Sequence, residues 1–191
     1  MITIGVDEVG RGCWAGPLVA GAVALPANFR PENCPATLRD SKKLTKPQRE
    51  ASAAWIHENA AAVGLGWVSP AEVDALGLTE SVRLAMQRAL AQISTAYNEL
   101  VIDGNINYFS DNPKAIAVVK ADDSVPAVSA ASIVAKVARD IYMASLGHKY
   151  AGYGFDRHVG YGTAGHIAAL RKLGVSDLHR LSYKPVKALL A

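Results

Sequence analysis

Little in this 191-residue chain could staple, anchor or export it. Its two cysteines, Cys13 and Cys34, have 20 residues between them. That spacing matches no metal-ligand or redox motif and builds no disulfide framework, which fits a reducing compartment. Runs of apolar residues are short: the longest, PLVAGAVALP, stops after about 10, against the 18 or more that a membrane span needs. The start, MITIGVDEVG, has no basic segment ahead of an apolar stretch, and Asp7 and Glu8 interrupt what apolar run there is, so a signal peptide is not expected. An excess of one charge is missing too. The 20 Lys and Arg against 17 Asp and Glu leave +3 with a pI near 8.9, which permits a polyanionic partner without demanding one. Repeats, low-complexity tracts and long linkers are also lacking. What is present, 50% hydrophobic and 19% charged residues, is ordinary globular composition at a length that buries a sizeable core unaided. The expectation is a cytoplasmic, monomeric chain with one domain over residues 1–191 and no membrane association.

Strands are predicted at Met1 to Val6 and Pro17 to Leu25, β-branched or Val-rich runs separated by a glycine-rich turn, so the chain opens as a hairpin-like pair. Thr45-Lys-Pro-Gln48 and Ser69-Pro-Ala-Glu72 read as capping boxes with proline in the first turn, and helices should begin at both. From Thr79 on, Val82, Met86, Ala89, Leu90, Ile93 and Tyr97 recur at helical spacing, which predicts a long amphipathic helix ending before a strand at Leu100 to Ile102. A further strand is expected at Ala115 to Val119. An Ala-rich helix should then run from Pro126 to about Gly147 and another from Ala164 to Leu173, while the tail SYKPVKALLA reads as a final helix. Strands early, helices late and some alternation give an α/β fold with a mixed central sheet flanked by helices.

Four acids occupy unusual places. Asp7 and Glu8 follow one expected strand, Asp103 follows another, and Asp122 comes shortly after a third. A single acid at a strand end is usually a solvated turn residue. Four such acids, if they converge, repel one another unless a cation neutralises them, and clustered carboxylates suit hard divalent ions such as Mg2+ or Mn2+. Two ions side by side would activate water and stabilise the leaving oxygen of a phosphodiester. Neighbours on a regular strand point to opposite faces, however, so Asp7 and Glu8 should share an ion only if the strand ends or bulges there.

Gly10-Arg11-Gly12 offers backbone amides and a guanidinium to a phosphate. The run GRGCWA also fits the loose dinucleotide fingerprint G-x-G-x-x-A, but that motif needs a helix opening at its glycines, where this chain should start a second strand. Lys42 and Lys43 precede a capped helix and suit either a phosphate or ordinary solvation. Lys136 and Arg139 lie one turn apart on the helix after Pro126, and Lys136 can equally pair with Asp140. Tyr153, Tyr161, His158 and His166 lie in or beside a Gly-rich stretch, where an aromatic ring could stack on a base or sugar, although such residues are more often partly buried structural ones.

Taken together, GVDEVGRGCWAGPLVAGAV at 5–23, DSKKLT at 40–45, VIDGN at 101–105, VVKADDSVPAVSAASIVAKVARD at 118–140 and GYGFDRHVGYGTAGH at 152–166 resemble the ribonuclease HII family nearly end to end. The resemblance implies a ribonuclease H-like fold with a C-terminal helical extension from about 145 to 191. It implies carboxylate metal ligands at Asp7, Glu8, Asp103 and Asp122, and a two-metal hydrolysis leaving 3′-hydroxyl and 5′-phosphate ends. The implied substrates are RNA–DNA hybrids and DNA duplexes containing ribonucleotides. Gly10, Arg11 and Gly12 would read the 2′-hydroxyl, the mark that separates ribose from deoxyribose, and Tyr161 would pack on the following deoxyribose. Lys42, Lys43, Lys136 and Arg139 are carried over as phosphate contacts. Where the family usually has Lys-Gly-Asp this chain has Lys120-Ala121-Asp122-Asp123, and alignment from either side selects Asp122, leaving Asp123 as a first-turn acid favoured by the helix dipole. The type 3 ribonucleases H share the four-acid plan, but the intact Gly-Arg-Gly and the lack of a further domain ahead of Asp7 weigh against them. A non-catalytic hybrid-binding module would gain nothing from acids facing phosphates.

Overall fold

The computed structural model describes residues 1–190. Its centre is a five-stranded sheet in the order β3-β2-β1-β4-β5. Strands β1 (Ile2–Val9), β2 (Leu18–Pro26) and β3 (Ala62–Val68) form an antiparallel meander. On the other side of β1, strands β4 (Glu99–Asp103) and β5 (Ala115–Val118) pair in parallel. The mixed sheet expected from the element pattern is therefore present.

Helices cover both faces. The capping-box helix α1 (Lys46–Asn59) starts where Thr45 and Gln48 predict it, and α2 (Pro70–Leu76) starts at Ser69. Helix α3 (Leu78–Leu90) packs Val82, Ala85, Met86 and Ala89 against Ile4, Val6, Ala20 and Ala22. It ends seven residues short of Tyr97; Ile93 and Tyr97 repeat the helical spacing because they pack on the same core from a loop. After the single turn α4 (Ala121–Ser124) comes the 20-residue α5 (Pro126–Ser145), which covers the opposite face beside α1. Alanines on α5 and glycines on the strands bring the two backbones together. A Cβ at Gly5 would collide with the backbone of Ala127, and one at Gly21 with the carbonyl of Ala131, so the helix lies almost directly on β1 and β2.

Beyond α5 the chain forms α6 (Phe155–His158), α7 (Ala164–Leu173) and α8 (Lys184–Lys187). The tail helix is a single turn. This C-terminal extension folds back to the Gly-Arg-Gly loop: Ala15 and His179 form an isolated bridge, and the Gly16 amide donates to the Leu178 carbonyl at 2.8 Å. No helix among the described residues is long and apolar enough to cross a membrane.

Candidate active site

Asp7 and Glu8 lie within β1, not after it, because the ladder to β2 continues through Asp7↔Gly21, Glu8↔Ala20 and Val9↔Val19. No bulge intervenes in that register. The parallel ladder to β4 stops earlier, at Val6↔Ile102, so the sheet splits between β1 and β4 at the carboxylates. Asp7, in register with Gly5, faces α5, whereas Glu8, in register with Ile4 and Val6, faces the α3 side. Both nonetheless border the cleft that opens at the split. Asp103 ends β4 and Asp122 sits in the first turn of α4, and the same cleft is lined by all four acids together with Gly10, Arg11, Gly12, Lys42, Lys136 and Tyr161.

The electrostatics of this wall are adverse. Burial pushes the Asp7 carboxyl well above the usual range, with Glu8 and then Asp103 adding repulsion. Its compensation is a hydrogen bond from the Glu8 amide at 2.7 Å and one involving Ser132. Burial also raises Glu8, against the pull of Arg11, whose guanidinium lies 3.2 Å away. Asp122 is raised by burial and by Asp103. Buried anions without a matching cation are unfavourable, and their donor set is entirely hard oxygen, which fits Mg2+ or Mn2+. No three His, Cys, Asp or Glu side chains among the described residues are gathered as a ready metal cage.

The Lys-Ala-Asp departure is accommodated locally. Lys120 takes the left-handed conformation with φ 60°, while buried Ala121 does not, so a side chain at 121 causes no backbone strain. The Ala121 amide donates to Asp103 at 2.8 Å, tying α4 to the end of β4. Asp122 then faces the cleft, whereas Asp123 turns away to bond Lys43 and the Asp40 amide.

Among the expected phosphate contacts the structure separates two groups. Lys42 is 80% exposed on the cleft rim. Lys136 lies in the cleft, bonds Asp140 at 2.8 Å and sits 5.6 Å from the Tyr161 ring centre. Lys43 is committed to Asp123 and does not line the cleft. Arg139 requires a correction. It is fully buried, and its guanidinium donates to the carbonyls of Pro17 (2.8 Å), Val159 (2.8 Å) and Ala15 (3.1 Å). The face of α5 that carries it is covered by the folded-back chain, so Arg139 ties loops together instead of meeting solvent.

Sequence reasoning missed a second buried arginine. Arg180 donates to the carbonyls of Gly10 (2.7 Å), Arg11 (3.2 Å) and Gly16 (2.9 Å) and to the Tyr183 hydroxyl (2.8 Å). A trans peptide points its carbonyl and amide in opposite directions, and no peptide here is cis. Drawing the Gly10 and Arg11 carbonyls inward therefore turns the Arg11 and Gly12 amides outward, toward the cleft that both residues line. Ser41 and Ser132 were also missed; their hydroxyls are 3.0 Å apart in the cleft wall. Tyr161 is more than half buried, and burial pushes its phenol up to about 12.

A family profile for ribonuclease HII matches residues 4–186. Ribonuclease HII of Synechococcus sp. (strain JA-3-3Ab) is 47% identical over 187 residues, covering 98% of this chain and 83% of the relative. That of Dichelobacter nodosus (strain VCS1703A) is 45% identical over 186 residues, covering 97% and 96%. In three dimensions the chain superposes on the ribonuclease H2 of Pyrococcus horikoshii OT3 with a TM-score of 0.85 at 26% identity, over 99% of this chain and 97% of that one. The matched span contains every cleft residue named above, and the fold is the ribonuclease H one. The chain belongs to the ribonuclease HII family of ribonuclease H enzymes.

Proposed function

We propose that this protein cuts the RNA strand of RNA–DNA hybrids endonucleolytically. We further propose that it nicks on the 5′ side of single ribonucleotides embedded in duplex DNA, leaving 3′-hydroxyl and 5′-phosphate ends. One observation carries the reading: a single cleft is lined by four carboxylates together with the Gly10-Arg11-Gly12 turn and Tyr161. Asp7, Glu8, Asp103 and Asp122 are the residues to hold divalent ions, Mg2+ or Mn2+. When bound, such ions polarise the phosphate and lower the pKa of the attacking water.

The chain's own groups supply recognition. The Arg11 and Gly12 amides meet the 2′-hydroxyl and its phosphate, a contact that a deoxyribose cannot complete. Arg11 adds a charge-assisted hydrogen bond, Tyr161 packs against the sugar that follows, and Lys42 and Lys136 hold phosphates on either side. The protein works as a monomer in the cytoplasm, and its nick opens ribonucleotide excision repair and clears RNA left by DNA replication.

The test is cleavage of a labelled DNA duplex carrying one ribonucleotide, with Mg2+ or Mn2+ and with excess chelator. A metal-dependent nick 5′ of the ribonucleotide is expected. Cleavage restricted to long hybrids would move the assignment to a type 3 activity, and undiminished cutting in chelator would refute the metal-held mechanism.

A further inference from the structure

Tyr161 stands between Gly160 and Gly162, so its own backbone does little to fix it. What fixes it is contact: the Trp14 amide donates to the Gly160 carbonyl at 2.8 Å, the Thr163 amide donates to the Tyr161 carbonyl at 2.8 Å, and the C-terminal extension adds a histidine pair. His166, fully buried, places Nδ1 3.0 Å from the Tyr161 carbonyl and Nε2 3.0 Å from Nε2 of His179. Nδ1 of His179 is in turn 2.9 Å from the Ser176 amide.

The two ends of this chain of contacts leave no choice of proton position. A backbone amide can only donate, so Nδ1 of His179 is unprotonated and its hydrogen is on Nε2. That hydrogen points at Nε2 of His166, which must accept it and therefore carries its own hydrogen on Nδ1. There it meets a carbonyl, which can only accept. The third ring obeys the same logic: the Gly160 amide donates to Nδ1 of His158 at 3.2 Å, and Nε2 donates to the Tyr153 carbonyl at 2.7 Å. His158 stacks on His166 with centroids 4.4 Å apart. A proton added to His166 would set two N–H groups facing each other at the 3.0 Å contact, and one added to His179 would set its Nδ1 hydrogen against the Ser176 amide at 2.9 Å. Burial accordingly lowers His166 to about 4 and lowers His179 as well.

We propose that His166 and His179 are positioning residues: a neutral, tautomer-locked imidazole pair that ties the Tyr161 turn to Ser176 and so sets how tightly the tyrosine grips the substrate sugar. The inference rests on the substrate role given to Tyr161 above. It asks nothing of the pair in bond breaking; its effect is on binding, and it travels through one backbone carbonyl.

Two measurements test it on the full chain. The first is imidazole nitrogen NMR of the unmodified protein near neutral pH. It should show His166 protonated on Nδ1 alone and His179 and His158 on Nε2 alone; the opposite tautomer at His166, or a charged ring, overturns the proposal whatever the substrate. The second uses His166→Phe, which keeps an aromatic ring and removes both hydrogen bonds, with folding checked by melting. On a duplex with one ribonucleotide KM should rise about tenfold with kcat within about twofold, the loss expected for one hydrogen-bonded contact. In a Tyr161→Ala background the same change should add nothing. Full additivity, or a loss confined to kcat, overturns the route through Tyr161. If Tyr161→Ala leaves KM unchanged while the tautomers are as stated, the error lies in the role of Tyr161 and not in the pair.

Discussion

Asp7, Glu8 and Asp103 are carried by hydrogen-bonded strands, whereas Gly10, Arg11, Gly12 and Tyr161, which line the same cleft, are carried by loops. The first wall is rigid because the sheet is rigid, and its difficulty is charge: Asp7 is buried and repelled by Glu8 and Asp103. The second wall has no sheet to lean on, and its difficulty is shape. Two buried arginines and a histidine pair, three of these four from the C-terminal extension, hold it: the arginines and His166 satisfy carbonyl oxygens, and His179 links His166 to the Ser176 amide. A site can thus be stiffened either by backbone pairing or by side chains that reach for backbone from far along the chain.

The sharpest way to break this contrast is Asp103→Asn. The amide oxygen can still accept from the Ala121 amide, so the fold should be kept, while cleavage falls on the order of 100-fold or more because a metal-holding charge is gone. A melting temperature that dropped in step with activity would show that the carboxylate wall is structural after all. Arg180→Met should do the reverse. It leaves the carbonyls of Gly10, Arg11 and Gly16 without a donor, and stability measured by urea unfolding should fall by about 3 kcal/mol. A loss under about 1 kcal/mol would mean that the loop holds its shape without this grip.

Acid separates the walls by sign. His166 titrates near 6.5 when unfolded and about 4 when folded, so between those values the unfolded chain binds more protons. Stability from this group is full above about 6.5 and falls as pH drops toward 4, by about 3 kcal/mol at most. Melting curves from pH 7 to pH 4 should show the decline, and His166→Phe should flatten it; an unchanged slope would place the sensitivity elsewhere. The carboxylate wall leans the other way, since the folded Asp7 holds its proton more tightly than the unfolded one. In chelator, Asp7→Asn should therefore raise the melting temperature by a few degrees, on the order of 1 kcal/mol. A lower melting temperature would show that repulsion is already relieved. Arg11→Ala is the smallest change in stability: its side chain is 57% exposed, so stability should shift by less than about 0.5 kcal/mol. Junction cleavage should still fall about tenfold.

The sequence and the structure agree best where local rules are strong. Asp7, Glu8 and Asp103 stand out because an acid beside an apolar β-branched run is unusual, and the capping boxes at Thr45 and Ser69 announce α1 and α2. Asp122 needed the wider block of residues, since a second acid follows it and only the folded chain shows Asp123 spent on Lys43. Arg139 is expected among the phosphate contacts because nothing in a helix's own sequence says that a distant loop will cover it. Arg180 leaves no signal for the same reason: an arginine counts as polar surface until its carbonyl partners, more than 100 positions away, are known. The apparent helical spacing at Ile93 and Tyr97 shows the converse, burial without helix.

The bond from Arg180 to the Gly10 carbonyl joins residues 170 positions apart, which makes the order of synthesis matter. By the time β4 has left the ribosome, Asp7, Glu8 and Asp103 can already lie side by side, yet the turn at Gly10 to Gly16 meets Arg139 and Gly160 only later, and its Gly10 and Arg11 carbonyls have no arginine to bind until residue 180 is made. Nascent chains stalled before Arg180 should leave that turn open to protease while the sheet is protected, so that the part of the enzyme that chooses where to cut is completed after the part that would cut.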